Sequence, residues 1–258
     1  MVSLDISLQS KFYPNSPKKV LGPLSFSVSP GEFVALLGPS GTGKTTLLNM
    51  IAGLEACATG EIKFNGKPLV AKRACKIGYI FQQPRLMPWL SVAENLRLVK
   101  PDATESDIEA ILTKVGLGGK STLYPAHLSG GMQRRVSIAR AFLTQPDLLL
   151  LDEPFVSLDA PNADKQRALL SELCVQHKPT VIFVTHDLNE AIQLADRILF
   201  LSQAPGKVIL DKTVDIPRPR RSDDNRLQRW KDDLLRQYSG LLEGVLMPDL
   251  KLISGGDV

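Results

Sequence analysis

The stretch Gly38-Pro-Ser-Gly-Thr-Gly-Lys-Thr45 constrains this chain more than any other. It follows an apolar run, Phe33-Val-Ala-Leu-Leu37, that reads as a buried strand. It opens Lys44-Thr-Thr-Leu-Leu-Asn-Met-Ile-Ala52, which reads as a helix. Strand, glycine loop and helix in that order make a phosphate cradle. Gly38, Gly41 and Gly43 let successive N–H groups turn inward around a polyphosphate, and the helix start adds its positive end. Lys44 supplies a mobile charge for the terminal phosphates, and the Thr45 hydroxyl suits Mg²⁺. Pro39, Ser40, Thr42 and Thr46 complete the expected contact set. The pattern predicts a nucleoside polyphosphate site.

Leu148-Leu-Leu-Leu-Asp152-Glu153 places two carboxylates at the end of an apolar run. In an open parallel sheet ligands sit at the carboxyl ends of strands, so both acids can face the phosphate loop. Asp152 suits the Mg²⁺ shell, and Glu153 suits a water that attacks the terminal phosphate. A second anion site is read at Leu128-Ser-Gly-Gly-Met-Gln133, where Ser129, Gly130 and Gly131 precede a helix expected over 132–143. Val181-Ile-Phe-Val-Thr-His186-Asp187 sets a histidine after another core strand, within reach of the same edge. His127 and His177 are read as structural or surface residues.

Strand-like runs fall at 4–8, 24–28, 33–37, 61–64, 77–81, 148–152, 181–185, 198–201 and 208–211, with helical segments between them, which predicts an α/β core. The runs at 148–151 and 181–184 are apolar without alternation, as parallel strands covered on both faces should be. Between about 85 and 146 the texture becomes helical. Thr104 and Asp107 have capping-box spacing, and Ile108, Ile111, Leu112 and Val115 fall on one face. This block reads as an inserted subdomain. Leu227, Trp230, Leu234 and Tyr238 line one face of a tail helix that should cover the core, and residues 250–258 are expected to fray.

With 258 residues, 43% hydrophobic and 22% charged, the chain has the make-up of an ordinary globular protein. No run approaches 18 apolar residues, and the first residues lack the pattern of a secretory signal. Cys57, Cys75 and Cys174 form no C-x-x-C pair and read as idle thiols of a reducing compartment. The net charge of +4 is too small to argue for nucleic acid. Residues 217–237 carry seven Arg or Lys against four Asp, which reads first as a solvated face and second as an attraction to acidic partners or lipid.

Taken together these motifs resemble the ATP-binding cassette (ABC) ATPases, from about Ser3 to Ser202. The phosphate loop, Gln82, the Leu128–Gln133 peptide, Asp152-Glu153, Ser157-Leu-Asp159 and His186 stand in that family's order. The resemblance implies a P-loop NTPase (RecA-like) α/β core with an antiparallel β subdomain and an inserted α-helical signature subdomain, a cassette over 1–220 and a helical tail over 221–258. It implies ATP and Mg²⁺ as ligands, with Gln82 sensing the metal and the attacking water, Glu153 polarising that water and His186 holding the γ-phosphate. It implies a homodimer in which Ser129, Gly130, Gly131 and Gln133 of one copy face the nucleotide of the other, with Asp159 helping to join the two. Tyr13 aligns more loosely with the aromatic that stacks on adenine. Phe81-Gln-Gln-Pro-Arg-Leu-Met-Pro-Trp-Leu-Ser-Val-Ala-Glu-Asn95, Tyr124–Gly131 and Ile216-Pro-Arg-Pro-Arg220 look like importer cassettes of the nitrate, sulfonate and taurine type. That likeness implies two transmembrane permease subunits, an extracytoplasmic solute-binding protein, a place on the cytoplasmic face of the plasma membrane and no nucleic acid. Leu86, Met87, Trp89 and Leu90 are the candidate docking patch, or else packing for the helical block. An exporter or lipoprotein-release motor, or a soluble repair or translation ATPase, stays as the alternative.

Overall fold

Alternation decides which sheet each strand joins. In the computed structural model, which describes residues 1–13, 18–56, 59–68 and 75–248, strands β1 (Leu4–Phe12), as far as Leu8, and β3 (Leu24–Val28) bury every second residue. Leu4, Ile6 and Leu8 point inward beside Val28, Phe26 and Leu24 of the antiparallel neighbour. On the other flank β1 pairs with β5 (Thr59–Phe64), Ile6 opposite Ile62. The short strands β2 (Lys19–Leu21) and β6 (Lys67–Pro68) close the edges of this sheet. One face meets the core and one meets water, the normal state of antiparallel sheets.

The second sheet has six strands, and its inner ones show no such alternation. It contains β4 (Phe33–Leu37), β7 (Ile77–Ile80), β8 (Leu148–Asp152), β9 (Thr180–Thr185), β10 (Arg197–Leu201) and β11 (Val208–Thr213). Their order is β11-β10-β4-β9-β8-β7, parallel throughout except for β11. Both faces of the inner strands β10, β4, β9 and β8 are buried, and successive residues serve different cores. Val34 and Leu36, with Leu148, Leu150, Ile182 and Val184, pack under helix α1 (Lys44–Ile51) and the antiparallel sheet. Phe33, Ala35 and Leu37, with Leu149, Leu151, Val181 and Phe183, pack against the remaining helices. Each fully buried side chain of this kind contributes roughly 1.5–3 kcal/mol of transfer free energy.

Among the described residues no strand lies between β7 and β8. Helix α2 (Val92–Arg97) begins with a reciprocal Ser91/Glu94 capping box, and α3 (Glu105–Lys114) with the expected Thr104/Asp107 box. Ile108, Ile111, Leu112 and Val115 are buried. Helix α4 (Gly130–Leu143) follows and packs on β7. It starts two residues earlier than expected, because the Ser129 hydroxyl accepts from the Met132 N–H and so makes Ser129 the N-cap. Strand β7 stops one residue short of Phe81, whose ring stacks on Tyr79 and beneath Arg85. Helices α5 (Ala160–His177) and α6 (Leu188–Leu194) complete the layer.

The tail helix α7 (Asn225–Gln237) buries Leu227 and Leu234 and packs Trp230 against the core, with Tyr238 just beyond it, as the sequence suggests. A small ladder, β12 (Tyr238–Ser239) with β13 (Met247–Pro248), encloses a turn whose Glu243 and Gly244 carbonyls accept from Gln203. The basic stretch before α7 is not simply a solvated face. Arg220 is buried, and its guanidinium donates to the carbonyls of Ile192, Ala195, Val214 and Ile216, while Arg218 pairs with Asp196. Spacing along one helix could not show these bonds, since their acceptors all lie outside α7. Arg221, Arg226, Arg229 and Arg236 stay exposed. Cys174 is buried, and burial pushes its thiol up to about 12; the half-buried Cys75 rises to about 11 for the same reason. Cys57 and the stretch 250–258 lie outside the described residues.

Candidate active site

Strands β4, β8 and β9 lie side by side in parallel, so their carboxyl ends bring Gly38, Asp152 and His186 to one edge. Gly43 has φ +89°, and a Cβ there would meet Leu21 Cδ2 at 2.7 Å. Glycine is therefore required where the loop turns into α1. Lys44, only 5% exposed, donates from Nζ to the carbonyls of Gly38 and Pro39, each at 2.7 Å. Burial lowers its pKa, and the nearby Glu153 and Asp152 charges oppose that shift. Thr42 caps Pro39 O through its hydroxyl, while Ser40 and Gly41 are exposed at the loop tip.

Across the edge, the Thr45 hydroxyl donates to Asp152 Oδ1 at 3.0 Å. Burial raises the Asp152 pKa, the Thr45 bond opposes this, and the neighbouring Glu153 charge adds to it. Octahedral ligands about 2.05 Å from Mg²⁺ lie roughly 2.9 Å apart along an edge, so this pair has the right spacing for two cis ligands. Among the described residues no cluster of three His, Cys, Asp or Glu could hold a metal. A cation here would complete its shell with phosphate and water oxygens, which is the habit of Mg²⁺.

Glu153 follows the strand in a left-handed conformation, φ +44°, with its N–H held by Val184 O at 2.9 Å. Its Oε2 stands 3.2 Å from His186 Nδ1. His186 sits between β9 and Asp187, the N-cap of α6, and Asp187 N–H in turn donates to Thr185 Oγ1. Thr185 donates to the buried Glu190, whose pKa is raised by burial and which faces Arg167 at 3.5 Å. Sequence reading missed this network; its one signal is a Glu two residues after Leu188 and two before Ile192, on a helix that buries both. Gln82 is exposed just beyond β7. Tyr13 is likewise exposed, with its hydroxyl 2.9 Å from Thr46 Oγ1 beside α1.

The Ser129 helix start is a separate place. Among the described residues no hydrogen bond joins Ser129, Gly130, Gly131 or Gln133 to the phosphate loop; Gln133 donates instead to Pro125 O and Leu128 O. A Cβ on Gly130 would meet nothing within 4 Å, and on Gly131 only Gln166 Nε2 at 4.0 Å. Neither has a positive φ, so no internal contact demands glycine at either position. Asp159, the exposed N-cap of α5, accepts from Asn162 at 2.6 Å. His127 lies edge-on to Tyr124, and His177 packs on Phe142, where burial lowers its pKa. Two further residues escaped the sequence reading. Asn95 is fully buried and ties Met87, Leu90 and Ser91 together, which leaves Trp89 71% exposed at the tip while Leu86 packs inward. Arg134 is buried among backbone carbonyls.

Comparison with known proteins bears on the family and the fold. Residues 21–156 match the family model described as ABC transporter. The chain is 41% identical over 237 residues to the aliphatic sulfonates import ATP-binding protein SsuB 2 of Burkholderia cenocepacia, covering 91% of this chain and 87% of the relative. The protein of the same name from Mesorhizobium japonicum is 44% identical over 222 residues, covering 85% and 86%. Among solved structures, a dimeric bacterial ABC transporter cassette superposes with a TM-score of 0.72 at 29% identity, covering 84% of this chain and all of that one. A dimeric cassette in a post-hydrolysis state bound to ADP and Pi gives 0.70 at 30%, with the same coverage.

Proposed function

The chain belongs to the ABC transporter family, and on that premise we propose that it is the ATP-hydrolysing motor of a solute importer with an aliphatic sulfonate as cargo. The observation that carries this reading is the single edge on which Lys44, Thr45, Asp152, Glu153 and His186 converge. Lys44 exchanges its carbonyl partners for β- and γ-phosphate oxygens. Thr45 and Asp152, with Gln82, hold Mg²⁺, which when bound neutralises phosphate charge. Glu153 orients and polarises the attacking water, and its contact with His186 fixes the imidazole toward the γ-phosphate. Tyr13 covers the base beside α1.

Ser129, Gly130, Gly131 and Gln133 contact the nucleotide of a second copy, and Asp159 lies at the seam. The outward glycines and the dimeric form of the two solved relatives support this arrangement. We divide the chain into a cassette over 1–220, with a helical subdomain at about 85–146, and a tail over 221–258. Among the described residues no helix is long and apolar enough to cross a membrane. On this reading the motor works from the cytoplasmic face through two permease subunits, with the loop that presents Trp89 as their seat, and an external solute-binding protein delivers the cargo. The names of the relatives favour import over export.

Glu153→Gln should leave ATP affinity intact, slow hydrolysis by roughly 10²–10⁴ and trap a dimer. Near-normal turnover in that variant would remove Glu153 from its role. Vesicles holding the permease, this chain and the solute receptor should take up an aliphatic sulfonate when ATP is supplied on the motor side. Uptake of nitrate with no sulfonate carried would overturn the cargo assignment.

A further inference from the structure

The geometry points to Arg134 as the positioning residue that ties the signature helix to both hydrolytic elements, the Gln82 segment and the Glu153 turn. The inference rests on the reading of the site above and goes beyond it to an unassigned side chain. Arg134 leaves the second turn of α4 and is 8% exposed. Its guanidinium donates to Pro154 O, to Gln82 O at 2.8 Å and to Val156 O at 3.5 Å. Among the described residues no carboxylate pairs with it, and burial lowers its pKa. A cation taken out of water without a counter-ion is costly, and here only peptide carbonyls offset that cost.

Those carbonyls belong to the segments that matter. Glu153 sits in a left-handed turn pinned on one side by Val184 O. Arg134 pins the other side through the next peptide and through Val156, while the same fork fixes the peptide of Gln82. Arg140, two turns further along α4, holds Pro84 O and Arg85 O, so its bonds stop short of the Glu153 turn. Because α4 is a continuous helix, a ligand or a second copy that presses on Ser129 to Gly131 moves Arg134, and with it both peptides. A displacement near 1 Å at a positioned group can cost about 10²-fold in rate. Lysine cannot replace the fork, since its ammonium is a point donor without planar reach.

In the full-length chain, Arg134→Lys should lower kcat by about 10- to 100-fold, with KM and ATP affinity within about twofold. In the Glu153→Gln background the same change should cost clearly less than in the unaltered one, because one of the two groups it positions is already gone. Wild-type kcat in Arg134→Lys, or an equal loss in both backgrounds, overturns the inference. If Arg134→Lys does not fold, Arg134→Met carries the same cycle. In the unaltered chain, amide exchange at residues 131–135, 82–83 and 155–156 should slow together on adding ATP, and three unrelated responses overturn the link. Hydrolysis indifferent to Glu153→Gln instead sinks the reading of the site and takes this inference with it.

Discussion

The two glycine-bearing helix starts of this chain are built on opposite terms. At the phosphate loop, glycine is demanded from within: Gly43 has φ +89° and lies against Leu21 and Val20. Its neighbour Lys44 is buried and bonded to its own loop. At the Ser129 start nothing internal demands glycine, and the backbone faces open space. A cradle shaped by its own protein is ready for a small ligand. An open helix start has no such internal requirement, and the proposed second copy would supply one from outside.

Three substitutions bear on that contrast, largest first. Gly43→Val combines a disallowed backbone with a clash 2.7 Å from Leu21 Cδ2, and should lower unfolding free energy by about 3 kcal/mol or more while abolishing nucleotide binding. Denaturant titration measures the first and nucleotide fluorescence the second; a stable, nucleotide-binding variant breaks the comparison. Asp152→Asn should be intermediate. Because burial raises the Asp152 pKa in the folded state, the folded protein holds its proton more tightly than the unfolded chain does. Stability is therefore lost as pH rises from the ordinary carboxyl range through the raised value. The asparagine variant should melt higher than wild type at pH 7, lose that advantage towards about pH 4, and fail in Mg²⁺-dependent hydrolysis. A gain unaffected by pH would refute the assignment of cause. Gly130→Ala should be smallest, within about 0.5 kcal/mol in stability and unchanged in ATP affinity, yet impaired in hydrolysis. A large loss of stability there would show an internal demand where none is seen.

Legibility followed chemistry that is local in sequence. Strands β3, β4 and β8 fall where their apolar runs predict, and the Thr104/Asp107 box forms as its spacing suggests. The edge strands β2 and β6 have three and two residues, too few to show a period. The start of α4 was misplaced because glycines read as turn residues, whereas the Ser129 cap carries them into the helix. At the site, the phosphate loop, both acids and His186 could be read because each sits next to its own strand. Arg134 and Arg220 could not, because a buried arginine bonded to distant carbonyls leaves no spacing to detect.

Consecutive residues of β4, β8 and β9 belong to unlike cores, Phe33 and Phe183 on one side and Val34 and Ile182 on the other. Sliding any one of these strands by a single residue, about 3.3 Å, would invert its two faces and force bulky rings into slots shaped for smaller side chains. Neighbour alignment is thereby ratcheted, Leu37 beside Thr185 and Asp152 beside Val184. The separation of lysine, acids and imidazole is thus dictated from deep inside by side chains that never meet a nucleotide, and a repacking mutation far below the edge should be felt there as misalignment.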